Sequence, residues 1–159
     1  MTRKLLIRSS FAIGICLIFG FMGVIATQTG TAEWYPSLQK PWFDIPQNIF
    51  SPVWIVMYVF MGISAGIVWS KGSYHKWVKT ALYHFGFQLF LNGFWFLLFF
   101  ALHKPFLALL DLLALFILIL ITIKWFKIVN RTAAYLLAPY ALWVLFAIAL
   151  NFEIWRLNS

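Results

Sequence analysis

Apolar residues cluster into five long runs, which short polar or proline-rich connections separate. A helix that crosses the hydrocarbon core of a bilayer needs about 20 mostly apolar residues. The predicted spans are 9–26, 49–69, 82–102, 106–125 and 134–155. Short connections make sequence neighbours antiparallel neighbours in space. The pattern therefore predicts an all-α membrane protein, a five-transmembrane-helix bundle that forms a single domain over residues 1–159.

The connection between the first two spans, residues 27–48, is rich in proline and aromatic residues, and we call it the lid. Each proline restricts the residue before it and discourages helix formation. We therefore expect a stiff loop over the mouth of the bundle, whose inward-pointing aromatic side chains are Trp34, Tyr35, Phe43 and, at the start of span two, Phe50. Alternatively, these aromatic side chains only dip into the membrane interface. Ser51 and Pro52 are expected to cap and begin the helix of the second span.

Composition points to lipid as the solvent of this chain. Hydrophobic residues make up 64% of it and charged residues 10%, more apolar surface than a soluble domain of this size could bury. One cysteine, Cys16, excludes an intrachain disulfide. The net charge of +8 would suggest nucleic acid in a soluble protein, but the basic residues lie at the ends of the apolar runs. We read them as orientation signals and predict no nucleic-acid partner.

Basic residues also predict which way the chain crosses a cell or inner membrane. One side would hold Arg3, Lys4, Arg8, Lys71, Lys76, Lys79, Lys124, Lys127 and Arg131, and the other Lys40, Lys104 and Arg156. The side richer in Lys and Arg is the cytoplasmic one, so the N-terminus is predicted in the cytoplasm and the lid outside it. A cleaved signal peptide over residues 1–26, which would leave four spans, is the alternative.

Polar and aromatic residues form a stripe on each of three spans. The stripes are Trp54, Tyr58, Gly62 and Gly66 in span two; Gln88, Asn92 and Trp95 in span three; and Pro139, Trp143, Ala147 and Asn151 in span five. If they converge, indole rings and a few polar groups would wall a cavity suited to a flat aromatic ligand. Pro139 allows a bend that would open room there.

Plainer interpretations exist for the same residues. Amides in membrane helices commonly hydrogen-bond to neighbouring helices, and the Gly62 and Gly66 pair can mark close packing within or between protomers. Several tryptophans near span ends are read as interfacial anchors: Trp42, Trp69, Trp77, Trp125 and Trp155. The three histidines have no metal-ligand spacing, and no metal or other cofactor is expected.

Five ordered motifs make the chain resemble the TspO/translocator protein family, also known as the peripheral benzodiazepine receptor family. They are WY with LQKP (34–41), PVW with Y and MG (52–62), QLFLNGFW (88–95), ALLDLL (108–113) and LLAPYALWVLFAIALN (136–151). The resemblance implies a five-helix bundle, often a homodimer, that binds porphyrins, haem intermediates and lipophilic drugs under the first loop.

The resemblance also implies ligand contacts at particular positions. They are Tyr35, Trp54, Asn92, Trp95, Trp143, Ala147 and Leu150, with Asp111 and Leu112 on the far wall and Phe50 and Tyr58 at neighbouring pocket positions. The chain departs from the family pattern in its lid, where Phe43 stands for a usual Trp and Ile45 for a usual Pro, beside Asp44. Phe152 replaces the central Tyr of a proposed cholesterol motif, so specific cholesterol recognition is not predicted.

Three functions compete at this point. The first is binding of a tetrapyrrole, to sense, sequester or pass on the ligand. The second is light- and oxygen-dependent porphyrin breakdown supported by Trp54 and Trp143, although the chain lacks an evident acid–base pair or metal site for an ordinary enzyme. The third is transport of a porphyrin or lipid ligand across the membrane, with Asp111 as the acid best placed to couple to protons.

Overall fold

The apolar runs fold into helices throughout residues 2–31 and 34–159, the part of the chain that the computed structural model describes. The helices there are α1 (Thr2–Thr31), α2 (Trp34–Ser37), α3 (Gln47–Ser70), α4 (Lys76–Phe96), α5 (Pro105–Val129), α6 (Arg131–Leu136) and α7 (Ala138–Leu157), with a π-helical turn at Leu97–Ala101. Five stretches are long and apolar enough to cross a membrane: Arg3–Gly23, Asn48–Ser70, Lys76–Ala101, Pro105–Val129 and Arg131–Leu157. The predicted five-helix membrane bundle is confirmed.

Helix ends differ from the predicted span ends by up to a turn or two. Helix α1 begins at Thr2 instead of residue 9, and α4 begins at Lys76 instead of residue 82. The cause is that hydropathy marks the hydrocarbon region, whereas a helix continues into polar residues beyond it. The expected cap at Ser51 is wrong, because α3 already begins at Gln47 and Pro52 lies inside the helix.

Two interruptions break the regular helices. The fifth span is divided at Leu137, two residues before Pro139, which is where a missing backbone donor and a clashing ring disturb a helix. The third span ends in the wide π-helical turn, in which the N–H of Leu102 donates to the carbonyl of Leu97 at 2.9 Å. This turn buries three successive side chains, Leu98, Phe99 and Phe100, which a regular helix would spread around its circumference.

The described part of the lid points its aromatic side chains inward, as predicted; residues 32 and 33 of the lid lie outside the described residues. Trp34 stacks on His103 with the ring centroids 4.3 Å apart and meets the edge of Phe99 at 5.5 Å. Phe43 meets the ring of Phe146 at 6.3 Å. Trp42 is 95% exposed, as an interfacial anchor should be.

The lid is fastened by hydrogen bonds at two places. Asn158, near the end of α7, accepts from the Gln39 N–H and donates to the Gln39 carbonyl, both at 2.9 Å. Within the lid, the Tyr35 hydroxyl donates to Asp44 Oδ1 at 3.0 Å, and Lys40 lies over the Tyr35 ring at 4.4 Å. Burial and then the Asp44 carboxylate raise the pKa of Tyr35, so this hydroxyl stays protonated and remains a donor.

Helices α1 and α3 touch backbone to backbone at one end. A Cβ atom added at Gly62 would overlap Ile13, and one at Gly66 would overlap Ser9. The small residues at Gly62 and Gly66 therefore mark packing within the protomer. At the same end, Arg8 Nη1 donates to the Trp69 carbonyl at 2.5 Å, a favourable position for a cation at a helix C-terminus.

We expect Gly62→Leu to destabilise the protein, because the new side chain must push α1 away from α3. Overpacking of this kind costs about 1–3 kcal/mol, measurable as the free energy of unfolding in detergent micelles. Gly86→Leu is the matched control, since no described residue lies within 4 Å of a Cβ atom at Gly86. Equal stability of the two variants would contradict the close approach.

Candidate ligand-binding site

Trp54 lies at the centre of the bundle, where aromatic rings from α3, α4 and α7 meet. The residue is 3% exposed. Its six ring neighbours within the described part of the chain are Phe96 at 5.3 Å, Tyr58 and Trp95 at 5.9 Å, Phe50 and Trp143 at 6.2 Å and Tyr140 at 6.4 Å. The stripes of spans two, three and five therefore converge, as predicted. We refer to Phe50, Trp54, Trp95 and Trp143 as the aromatic cluster.

A small hollow remains beside the aromatic cluster, under the lid. It is lined by Tyr35, Ile45, Phe50, Trp95, Phe99, Phe100, Ala147, Leu150, Asn151 and Ile154. Its volume is about 30 Å³, room for a water molecule or two, whereas small-molecule pockets measure roughly 300–1,000 Å³. The expectation of an open cavity is wrong for this conformation, because the rings pack against one another and fill it.

Buried amides tie the helices together behind these rings. Asn92 accepts from the Tyr58 hydroxyl and donates to the Tyr140 hydroxyl, the latter at 3.2 Å, so it links α4 to α3 and α7. Asn151 accepts from Trp95 Nε1 at 3.0 Å and donates to the Pro105 carbonyl at 2.8 Å. The plainer interpretation, hydrogen bonding between neighbouring helices, therefore holds for Asn92 and Asn151. It does not hold for Gln88, whose buried side-chain amide makes no hydrogen bond among the described residues.

Two donors in the aromatic cluster have no acceptor. Trp54 Nε1 and Trp143 Nε1 are both buried, and neither makes a hydrogen bond among the described residues. Buried indole N–H groups usually find a partner, since an unsatisfied donor in an apolar interior costs free energy. These two groups can donate to an acceptor on a bound molecule without breaking any existing hydrogen bond.

The predicted site residues fall into three groups. Tyr35, Phe50, Trp95, Ala147 and Leu150 line the hollow, and Trp54 and Trp143 adjoin it through Phe50. Tyr58 and Asn92 lie behind Trp54 in the hydrogen-bond network. Asp111 and Leu112 are buried in α5 and do not line the hollow; Asp111 Oδ2 has no hydrogen-bond partner among the described residues.

Phe99, Phe100 and Ile45 line the hollow but were not predicted as site residues from the sequence. Phe99 lies four residues after Trp95, so extending the stripe of span three by one turn would have found it. Phe100 reaches the hollow from within the π-helical turn, for which the apolar run LLFFA gives no signal. Ile45 also lines the hollow; in the sequence it is distinguished only as a departure from the family pattern of the lid.

This fold and this interior define a multi-pass integral membrane protein with a tryptophan-rich aromatic centre under a fastened lid. The chain belongs to the TspO/MBR family, whose sequence model matches residues 12–156. It is 36% identical over 156 residues to the tryptophan-rich protein TspO of Chlorobaculum tepidum, covering 98% of this chain and 99% of that protein. It is 38% identical over 144 residues to the TspO of Archaeoglobus fulgidus, with 90% and 92% covered. Identity to the translocator protein of Bos taurus is 36% over 141 residues, with 88% and 83% covered.

We expect Asn92→Ala to destabilise the protein, because two buried tyrosine hydroxyls lose their partner. An unsatisfied buried polar group costs about 1–3 kcal/mol, whereas replacing all partners by apolar groups of similar shape is nearly neutral. The triple variant Tyr58→Phe, Asn92→Leu, Tyr140→Phe should therefore recover most of the unfolding free energy in detergent. Equal losses in the single and triple variants would show that shape, and not hydrogen bonding, is what Asn92 contributes.

Proposed function

We propose that this protein binds flat, largely apolar aromatic molecules in the aromatic cluster, with porphyrins and haem intermediates as the leading class and lipophilic drug-like molecules as a second. The two unpartnered indole N–H groups of Trp54 and Trp143 carry the proposal. A planar ring system can stack on the indole faces while its carboxylate or carbonyl oxygens accept from these donors. Membership of the TspO/MBR family supports the same class of ligand.

Binding in the aromatic cluster requires the rings to separate. Phe50 is the side chain best placed to move, because it is only partly buried yet touches three tryptophans, Trp54, Trp95 and Trp143. A ligand ring that replaces Phe50 restores contacts of the same kind to those tryptophans. The free-energy cost of separating the rings is therefore partly offset by the new contacts with the ligand. In this proposal the protein senses, sequesters or passes on its ligand.

We expect Trp143→Ala to weaken binding of protoporphyrin IX by about 1–3 kcal/mol, roughly 5- to 150-fold in affinity, because truncating an anchoring aromatic removes a stacking face and a donor. The measurement is quenching of tryptophan fluorescence in detergent or nanodiscs. Trp77→Ala is the matched control: Trp77 stacks on Trp125 at 5.7 Å, away from the cluster, and is 54% exposed. Absence of saturable quenching, or an unchanged affinity when Trp54 and Trp143 are both replaced, would refute the proposal.

We also propose that the bound ligand leaves chemically unchanged, with no resident cofactor involved. The competing idea is photo-oxidative breakdown at Trp54 and Trp143, whose ring centroids are 6.2 Å apart. Illuminating a small amount of protein with excess porphyrin in air separates the two. Bleaching that stops near one porphyrin per protein means damage to the complex, whereas many turnovers per protein would establish an enzyme.

We propose that the N-terminus lies in the cytoplasm and that two copies associate within the lipid. Asn158 binds the lid while Arg8 binds the opposite end of α3, so the C-terminus and lid share one side of the bundle. An alkaline phosphatase fusion at Ser159 should be active and a cytoplasm-dependent reporter inactive; the reverse would overturn the orientation.

Light scattering of the solubilised protein should give twice the chain mass.

A further inference from the structure

A second and much larger cavity lies on the lipid-facing side of the bundle. It is a groove of about 460 Å³ between α1 and α3, with Trp54, Tyr58 and Phe96 among the residues that line it. Trp54, Tyr58 and Phe96 are buried, whereas Ile18 and Ile55, which also line the groove, are exposed. The volume falls within the range of small-molecule sites, unlike the 30 Å³ of the central hollow.

The groove begins where the backbone contact between α1 and α3 ends. Gly62 brings the two backbones together at Ile13. Towards the lid, α3 carries the large ring of Tyr58, which lines the groove and reaches α1 at Gly20, where an added Cβ atom would lie 2.6 Å from that ring. Gly14 also lines the groove; it is exposed, and no described residue lies within 4 Å of a Cβ atom added there.

Phe50 separates the groove from the central hollow, since it lines both cavities. Trp54 touches Phe50 and also lines the groove. A displacement of Phe50, the same movement that opens the aromatic cluster, would therefore join the two cavities. The lid is in contrast held in place by the Asn158–Gln39 hydrogen bonds and by the stacking of Trp34 on His103.

We infer that a flat apolar ligand dissolved in the bilayer enters sideways through this groove and reaches the aromatic cluster past Phe50, while the lid stays shut. The inference rests on the proposed function for the identity of the ligand. Its own basis is the continuity of the two cavities at Phe50, the apolar lining of the groove and the solubility of such ligands in hydrocarbon. The lid then acts as a fixed outer wall and Phe50 as the gate.

Gly14→Phe tests the route, because it places a ring in the groove without touching the aromatic cluster. A barrier on the only path slows entry and exit equally and leaves the equilibrium affinity unchanged. In phosphatidylcholine nanodiscs with protoporphyrin IX, we expect both rate constants to fall at least about fivefold by stopped-flow fluorescence, with the dissociation constant within about twofold of wild type. Gly14→Ala and Gly14→Leu should give smaller, graded effects, and Gly86→Phe none.

Other results would overturn the route. Unchanged rates in Gly14→Phe together with faster rates in Asn158→Ala would show that the ligand passes the lid. Weaker affinity in Gly14→Phe with an unchanged dissociation rate would show that the ligand resides in the groove. Unchanged rates in Gly14→Phe, together with half the molar mass of the wild-type protein in light scattering, would show that a second copy of the chain occupies the groove.

A further arm separates failure of the route from failure of the proposed function, because it uses no porphyrin. Brominated acyl chains quench the fluorescence of tryptophans that lipid can reach. In nanodiscs of brominated phosphatidylcholine, the quenching of Trp54 is obtained by subtracting the fluorescence quenching of Trp54→Phe from that of the wild-type protein. We expect this quenching to be present, to disappear in Gly14→Phe and to persist in Gly86→Phe. A Trp54 that brominated lipid cannot quench would overturn the lateral route whatever the porphyrin titration shows.

Discussion

Hydrogen bonding of polar groups inside hydrocarbon is the constraint on which this structure depends. Lipid offers no partners, so a buried amide is satisfied only by a partner on the protein, here on another helix. Asn92 joins α4 to tyrosines on α3 and α7, and Asn151 joins α7 to Trp95 and to the first residue of α5. Both amides lie beside the aromatic cluster. The hydrogen bonds that satisfy them therefore also hold the tryptophan-bearing helices around Trp54.

Buried polar atoms of four side chains depart from this rule among the described residues: Gln88, Asp111, Trp54 and Trp143. The indole N–H groups of Trp54 and Trp143 are the two that belong to the aromatic cluster. A fold that pairs its asparagines across helices has left two donors unused in its most aromatic region. The hollow beside the aromatic cluster is only about 30 Å³, because the rings around it pack against one another. Dense packing keeps the bundle stable in the absence of a ligand. Because Phe50 is only partly buried, its displacement makes room for a ligand without a large rearrangement of the helices.

The sequence predicted the five spans and the convergence of Trp54, Trp95 and Trp143, because both follow from local periodicity and from the length of a bilayer. It did not predict the π-helical turn that buries Phe100, since backbone hydrogen-bond register leaves no mark in a run of apolar residues. The Asn158–Gln39 contact joins positions 119 residues apart, so no local pattern could indicate it. Ring packing, which sets the volume of the hollow, depends on rotamers that composition does not determine.

The relative cost of opening each face decides which face admits a ligand. Lifting the lid breaks two hydrogen bonds at Asn158, each worth about 0.5–1.5 kcal/mol net, and separates the stacked rings of Trp34 and His103. On the lateral face, the groove of about 460 Å³ already reaches Phe50. Phe50 is only partly buried and also lines the central hollow. Movement of this one ring connects the groove to the aromatic cluster, so the lateral face is suited to admit a flat molecule from lipid.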